Sequence, residues 1–131
     1  MAERKMLLAP LRKAFASLDA ALAVLHPNDL TRDGAIQRFE YTYELCWKFM
    51  KRHLEWTGTL DSYRLSKKDI FRQAARAGLI ADPERWFLHH EARNESTHAY
   101  DENIANKVFA NIVVFSKDAH ELFENLTRYH A

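Results

Sequence analysis

Cysteine occurs once in this chain, at Cys46, and glycine and proline only three times each. A lone cysteine forms no internal disulfide and leaves no thiolate cluster for structural zinc, which fits a reducing compartment, the cytoplasm by default. Glycines so few and so separated build no phosphate-cradling loop, so the chain is not expected to bind a nucleoside triphosphate by itself, or to need a cofactor. A surplus of one charge is missing as well: 19 Lys and Arg stand against 18 Asp and Glu, a formal +1. That balance excludes a protein that coats nucleic acid by bulk counterion release, so any such contact must be local. Long apolar runs are also absent. Met6-Leu-Leu-Ala-Pro-Leu11 is flanked closely by Arg4, Lys5, Arg12 and Lys13, and nothing nears the roughly 18 residues of a membrane span, so neither export nor membrane insertion is expected.

What is present is ordinary globular material, 131 residues with 47% apolar and 28% charged side chains. One domain over residues 1–131 is expected, large enough to hide roughly two thirds of its unfolded surface. Nearly all of the few Gly and Pro residues sit where helices would start or stop, and no stretch shows the period of a strand, which points to an all-α chain. Leu8, Leu11, Phe15, Leu18, Leu22 and Leu25 predict helix one from about Glu3 to Leu25, with Pro10 delaying or kinking its first turn. Ile36, Phe39, Tyr43, Cys46 or Trp47, Met50 and Leu54 predict helix two, about Thr31 to Trp56, matching helix one in length and capped by Gly58. Helix three opens at Ser66-Lys-Lys-Asp69 and closes at Gly78; helix four begins at Asp82-Pro83 and runs toward Arg93. Helix five is expected from near Asp101 to about Tyr129, with Ile104, Val108, Ile112, Phe115, Ala119, Leu122 and Leu126 inward. Short connections favour antiparallel neighbours in a four- to five-helix bundle.

Between the last two helices lies Arg93-Asn94-Glu95-Ser96-Thr97-His98-Ala99-Tyr100. Asn94, Ser96, Thr97 and His98 are mediocre interior helix residues, so a break is expected there. In an unbroken helix, residues five apart point about 140° away from each other; a break lets Arg93 and His98 face one cleft. Arg carries a permanent planar charge suited to phosphate, and His titrates nearest neutrality, so the pair suits metal-free phosphodiester chemistry. The competing structural reading pairs Arg93 with Glu91, Glu95 or Asp101 and leaves His98 at an exposed helix end.

Other groupings carry less. Glu95-Ser-Thr-His98 has the spacing of a di-iron bundle element, with Glu40 and Glu44 one turn apart on helix two, but no second such element exists and no metal is expected. Glu40 and Glu44 could support Arg93, although carboxylates at that spacing usually form a solvated face. His89 and His90 are expected to point one inward and one outward. Trp47, Phe39, Tyr43, Trp56 and Trp86 read as core and dimer-seam aromatics rather than a base-stacking platform, and Cys46 as buried and inert.

The string Glu91-Ala-Arg93-Asn94-x3-His98-x-Tyr100-Asp101-Glu102 resembles the signature segment of the HEPN superfamily, and its Arg-x4-His-x-Tyr core resembles that of the HepT toxins. Phe39-Glu40-x3-Glu44-x2-Trp47-Lys48 is similar to a stretch of the nucleotidyltransferase substrate-binding proteins in that superfamily. The resemblance implies a homodimeric helical bundle, encoded beside a minimal nucleotidyltransferase that acts as antitoxin. It further implies a metal-independent endoribonuclease toxin acting on RNA, with Arg93 and His98 catalytic, Asn94 at most supporting, and Tyr100 the acceptor of a silencing AMP. The alternative within the resemblance is a non-catalytic subunit that presents substrate to the transferase.

Overall fold

The computed structural model describes residues 4–59 and 65–130. Over these the chain forms five α-helices and no strand: α1 (Ala9–Leu22), α2 (Asp29–Trp56), α3 (Lys67–Arg76), α4 (Pro83–Glu95) and α5 (Glu102–His130), with one 3-10 turn, Ser96–His98, before α5.

The boundaries follow local chemistry. Asn28 caps α2: its side chain accepts from the Thr31 amide, and Thr31 Oγ1 accepts from the Asn28 amide. Ser66 and Asp82 do the same one-sidedly for α3 and α4, and Pro83 supplies the fixed first-turn φ. Gly58 and Gly78 lie at φ 75° and 79°, the left-handed geometry that closes α2 and α3.

Helix one departs from expectation. Its predicted start at Glu3 lies outside the described residues; α1 begins at Ala9, so Pro10 opens the helix instead of kinking it. It ends at Leu22, and Leu25 is exposed. At 14 residues it is half the length of the 28-residue α2 rather than its match.

Consecutive helices α1 and α2, and α4 and α5, run antiparallel, as Ser17 beside Arg38 and Arg85 beside Asp118 require. The two longest, α2 and α5, run parallel: Arg32 reaches Glu102 at their starts, and His53 meets His130 at their ends. Between them lies one cluster in which Phe39, Tyr43, Phe71, Trp86 and Phe115 pack edge to face and tilted, with ring centroids 4.9–6.5 Å apart. Each such ring contributes roughly 1.5–3 kcal/mol by burial. No helix among the described residues is long and apolar enough to cross a membrane.

The bundle also encloses paired polar groups. Buried Asp118 takes a two-pronged hydrogen bond from Arg85 and lies 2.6 Å from His89 Nε2. Asn111 Nδ2 donates to His89 Nδ1, so Nε2 carries the proton and donates to Asp118. Burial lowers the His89 proton affinity despite that carboxylate. At the opposite end, the Met6 amide donates to His130 Nδ1, and His130 Nε2 lies 2.9 Å from His53 Nδ1, forming a clasp between the N-terminal segment, α5 and α2.

Candidate functional site

Arg93 lies in the last turn of α4, and the chain then tightens into the Ser96–His98 turn. The tightening follows from side chains that compete with the helix for its own carbonyls: Ser96 Oγ approaches the Arg93 carbonyl at 2.6 Å and Thr97 Oγ1 donates to the Asn94 carbonyl. Asp101 then caps α5, its carboxylate accepting from the Asn103 and Ile104 amides.

Arg93 does not pair with Glu91, Glu95 or Asp101. It turns inward to α2, where Nη1 lies 3.3 Å from Glu40 Oε2 and Nε lies 3.5 Å from Glu44 Oε1. Ser96 Oγ also lies 2.6 Å from Glu40 Oε2 and 3.3 Å from Arg93 Nη1. Glu44 is fixed from its other side by the Trp47 indole, which donates to Oε2 at 2.9 Å. The two carboxylates are therefore half-buried, and the Arg93 side chain retains 27% of its exposure. Nε itself is shielded from solvent and makes no hydrogen bond of good geometry, leaving the guanidinium held but not saturated.

His98 and Tyr100 stand on the other side of the break, both exposed, with His98 Nδ1 3.4 Å from the Tyr100 hydroxyl. Tyr100 retains 86% of its exposure. The break thus gathers Arg93, Glu40, Glu44 and Ser96 into one network and leaves His98 and Tyr100 projecting beside it; Arg93 and His98 make no direct hydrogen bond. A shallow cavity of about 260 Å³ opens there, lined by Asp33, Gln37, Glu40, Ser96 and Tyr100 among others. Glu95, the other half of the di-iron spacing, pairs with Lys107 instead.

Asn94 sits one turn beyond His90, its Nδ2 3.4 Å from His90 Nε2, and His90 Nδ1 is 2.8 Å from the Tyr43 hydroxyl. Of the two neighbouring histidines, His89 is the buried one and His90 is half-buried, tied to Tyr43. Burial, with Lys67 and Lys68 nearby, holds its proton affinity below the usual imidazole range, and burial raises that of Tyr43. Sequence reasoning missed Ser96 and this Tyr43–His90 pair. The available signal was a hydroxyl three residues after Arg93; the tyrosine read only as core.

The chain matches the family model described as nucleotidyltransferase substrate binding protein like over residues 7–128. It is 42% identical over 95 residues to the probable ribonuclease HepT of Haemophilus influenzae, an alignment spanning 71% of this chain and 65% of that protein. It is also similar to a solved Haemophilus influenzae protein described as having the fold of a substrate binding domain of a nucleotidyltransferase. There the TM-score is 0.85 at 36% identity, over 92% of this chain and 99% of the other. A crystal structure from Thermus thermophilus has a TM-score of 0.80 at 29% identity, over 88% and 98% of the two chains.

Proposed function

Because the chain belongs to the family of nucleotidyltransferase substrate-binding proteins, we propose that it is a metal-independent endoribonuclease toxin, paired with a minimal nucleotidyltransferase that silences it by transferring AMP to Tyr100. The observation that carries this reading is the arrangement at the α4–α5 break: a guanidinium fixed by Glu40, Glu44 and Ser96, beside an exposed histidine and an exposed tyrosine. The likeness to a protein called a probable ribonuclease supports it.

In this mechanism an RNA ribose 2′-hydroxyl attacks the adjacent phosphorus, forming a P–O bond as the bond to the 5′-oxygen breaks. A His98 imidazole removes the hydroxyl proton, a second acid protonates the departing oxygen, and Arg93 stabilises charge on the phosphoryl oxygens. The chain supplies one motif histidine, so the second proton carrier comes from a two-fold partner copy whose motif faces the same groove. The exposed Tyr100 hydroxyl, close to His98 Nδ1, is open to a transferase; an adenylyl group there adds bulk and a negative charge beside His98 and blocks the groove. Expression of the chain alone, with and without the neighbouring transferase, tests the reading: growth arrest and RNA cleavage are expected only without it.

A second reading, a non-catalytic subunit that presents substrate to the transferase, is favoured by one feature. Two carboxylates already neutralise Arg93, which weakens its pull on phosphate. Full growth and intact RNA in the absence of the transferase would decide for it.

A further inference from the structure

Trp47 and Phe87 sit half-buried on the surface where α2, α3 and α4 meet, and each is flanked by two cations. Lys67 Nζ and Lys48 Nζ lie 5.0 and 5.8 Å from the Trp47 ring centre. Arg72 and Lys68 lie 5.3 and 5.4 Å from that of Phe87. Of the two, Trp47 is the one the sequence reads as core or seam. Of the four cations only Arg72 has a carboxylate at ion-pair distance among the described residues, Asp69 at 3.2 Å. Methylene stems lying on apolar rings would account for the contacts alone. They do not account for where two of the lysines stand.

Lys67 and Lys68 directly follow the Ser66 cap and so occupy the first turn of α3, the positive end of its dipole, where acidic residues are favoured and lysines cost stability. A chain with a formal net charge of only +1 thus concentrates cations against local electrostatics, and the rings hold them at the surface. The strip is joined to the candidate site through one residue: Trp47 Nε1 donates to Glu44, which pairs with Arg93. Lys67 and Lys68 are also close enough to depress the proton affinity of His90, next to Asn94. The cations cover the ring faces, so the strip suits phosphates better than stacked bases.

We propose that Lys48, Lys67, Lys68 and Arg72, propped on Trp47 and Phe87, form a track for the phosphodiester backbone of single-stranded RNA leading to Arg93. This rests on the ribonuclease reading above and gives the local basic contact that the near-zero net charge demands.

The test measures binding of a fluorescein-labelled single-stranded RNA oligonucleotide by anisotropy over a range of salt, using His98→Ala to prevent cleavage, alone and combined with Lys67→Glu and Lys68→Glu. The charge reversal suits the first turn of α3, so Tm is expected to hold or rise. RNA binding is expected to weaken at least about tenfold, and the slope of log affinity against log salt to flatten by about 1.4, two phosphates at about 0.7 each. Unchanged affinity and slope in a folded double variant would overturn the track. So would unchanged RNA binding with loss of transferase capture, which would make the strip a protein interface. If the unmutated chain cleaves RNA in either of those cases, the ribonuclease reading survives and only the track falls; if it neither cleaves nor binds RNA, both fall.

Discussion

Arg93 and His98 stand five positions apart in sequence and differ in kind once folded. Arg93 is a partly buried group counter-charged by two acids, whereas His98 is exposed. Arg93→Ala leaves Glu40 and Glu44 facing each other without a cation, and an expected cost of about 1–3 kcal/mol appears as a lower midpoint in urea. His98→Ala is expected to stay within about 0.5 kcal/mol of the parent in the same titration. RNA cleavage is expected to fall about 10²- to 10⁴-fold in both, and a folded His98→Ala protein that cleaves at the parental rate would remove that residue from the mechanism. Tyr100→Phe loses no buried contact and is expected to fold normally while gaining no AMP mass when incubated with the transferase, ATP and magnesium; modification elsewhere in that variant would move the acceptor. The Arg-x4-His spacing was legible because it is local, and so was the Glu40, Glu44 pair one turn apart. That those acids could serve Arg93 was one of two readings open to the sequence, the other being a solvated face; the choice between them is tertiary, since nothing along α2 records that α4 will cross it at Arg93.

The same division between local and tertiary information runs through the elements. Caps and glycine stops mark both ends of α3, the start of α4 and the close of α2, and the leucine stripe marks α1, yet the stripe continues past the point where α1 loses its neighbours, as exposed Leu25 attests. The break between α4 and α5 was foreseeable from four poor helix formers in close succession; the Ser96 hydroxyl that ties it to Glu40 was not. The far ends of α2 and α5 carry a different consequence. Burial, and then His130, push His53 down to about 4, below the 6.5 of a solvated imidazole. The unfolded chain therefore takes up a proton first as pH falls, so this stabilisation is complete above pH 6.5 and declines toward pH 4, by at most about 1.4 kcal/mol per pH unit. Thermal melts between pH 7.5 and 4.5 are expected to show Tm dropping. His53→Phe is expected to flatten the drop without abolishing it, because His89, His90 and His130 are also held below their usual range.

For the whole molecule, one hydrophobic core reaches all five helices: the ring cluster joins α2, α3, α4 and α5, and Leu11, Phe15 and Leu18 bring in α1; Phe115→Ala within that cluster is expected to cost about 3–5 kcal/mol in chemical denaturation. The proposed shared groove requires two copies: sedimentation at micromolar concentration is expected to give a dimer, and a fully active monomer would end the composite-site mechanism. The clasp of Met6, His130 and His53 has a further meaning for chain order. It joins positions 124 apart with a 3.1 Å hydrogen bond, so the polypeptide is already a ring held shut without a covalent link. A short peptide joining those positions, with new ends cut in the exposed stretch between α1 and α2, would re-thread the same bundle as α2-α3-α4-α5-α1, leaving the motif and its carboxylates where they are and making connectivity, rather than shape, the expendable property of this fold.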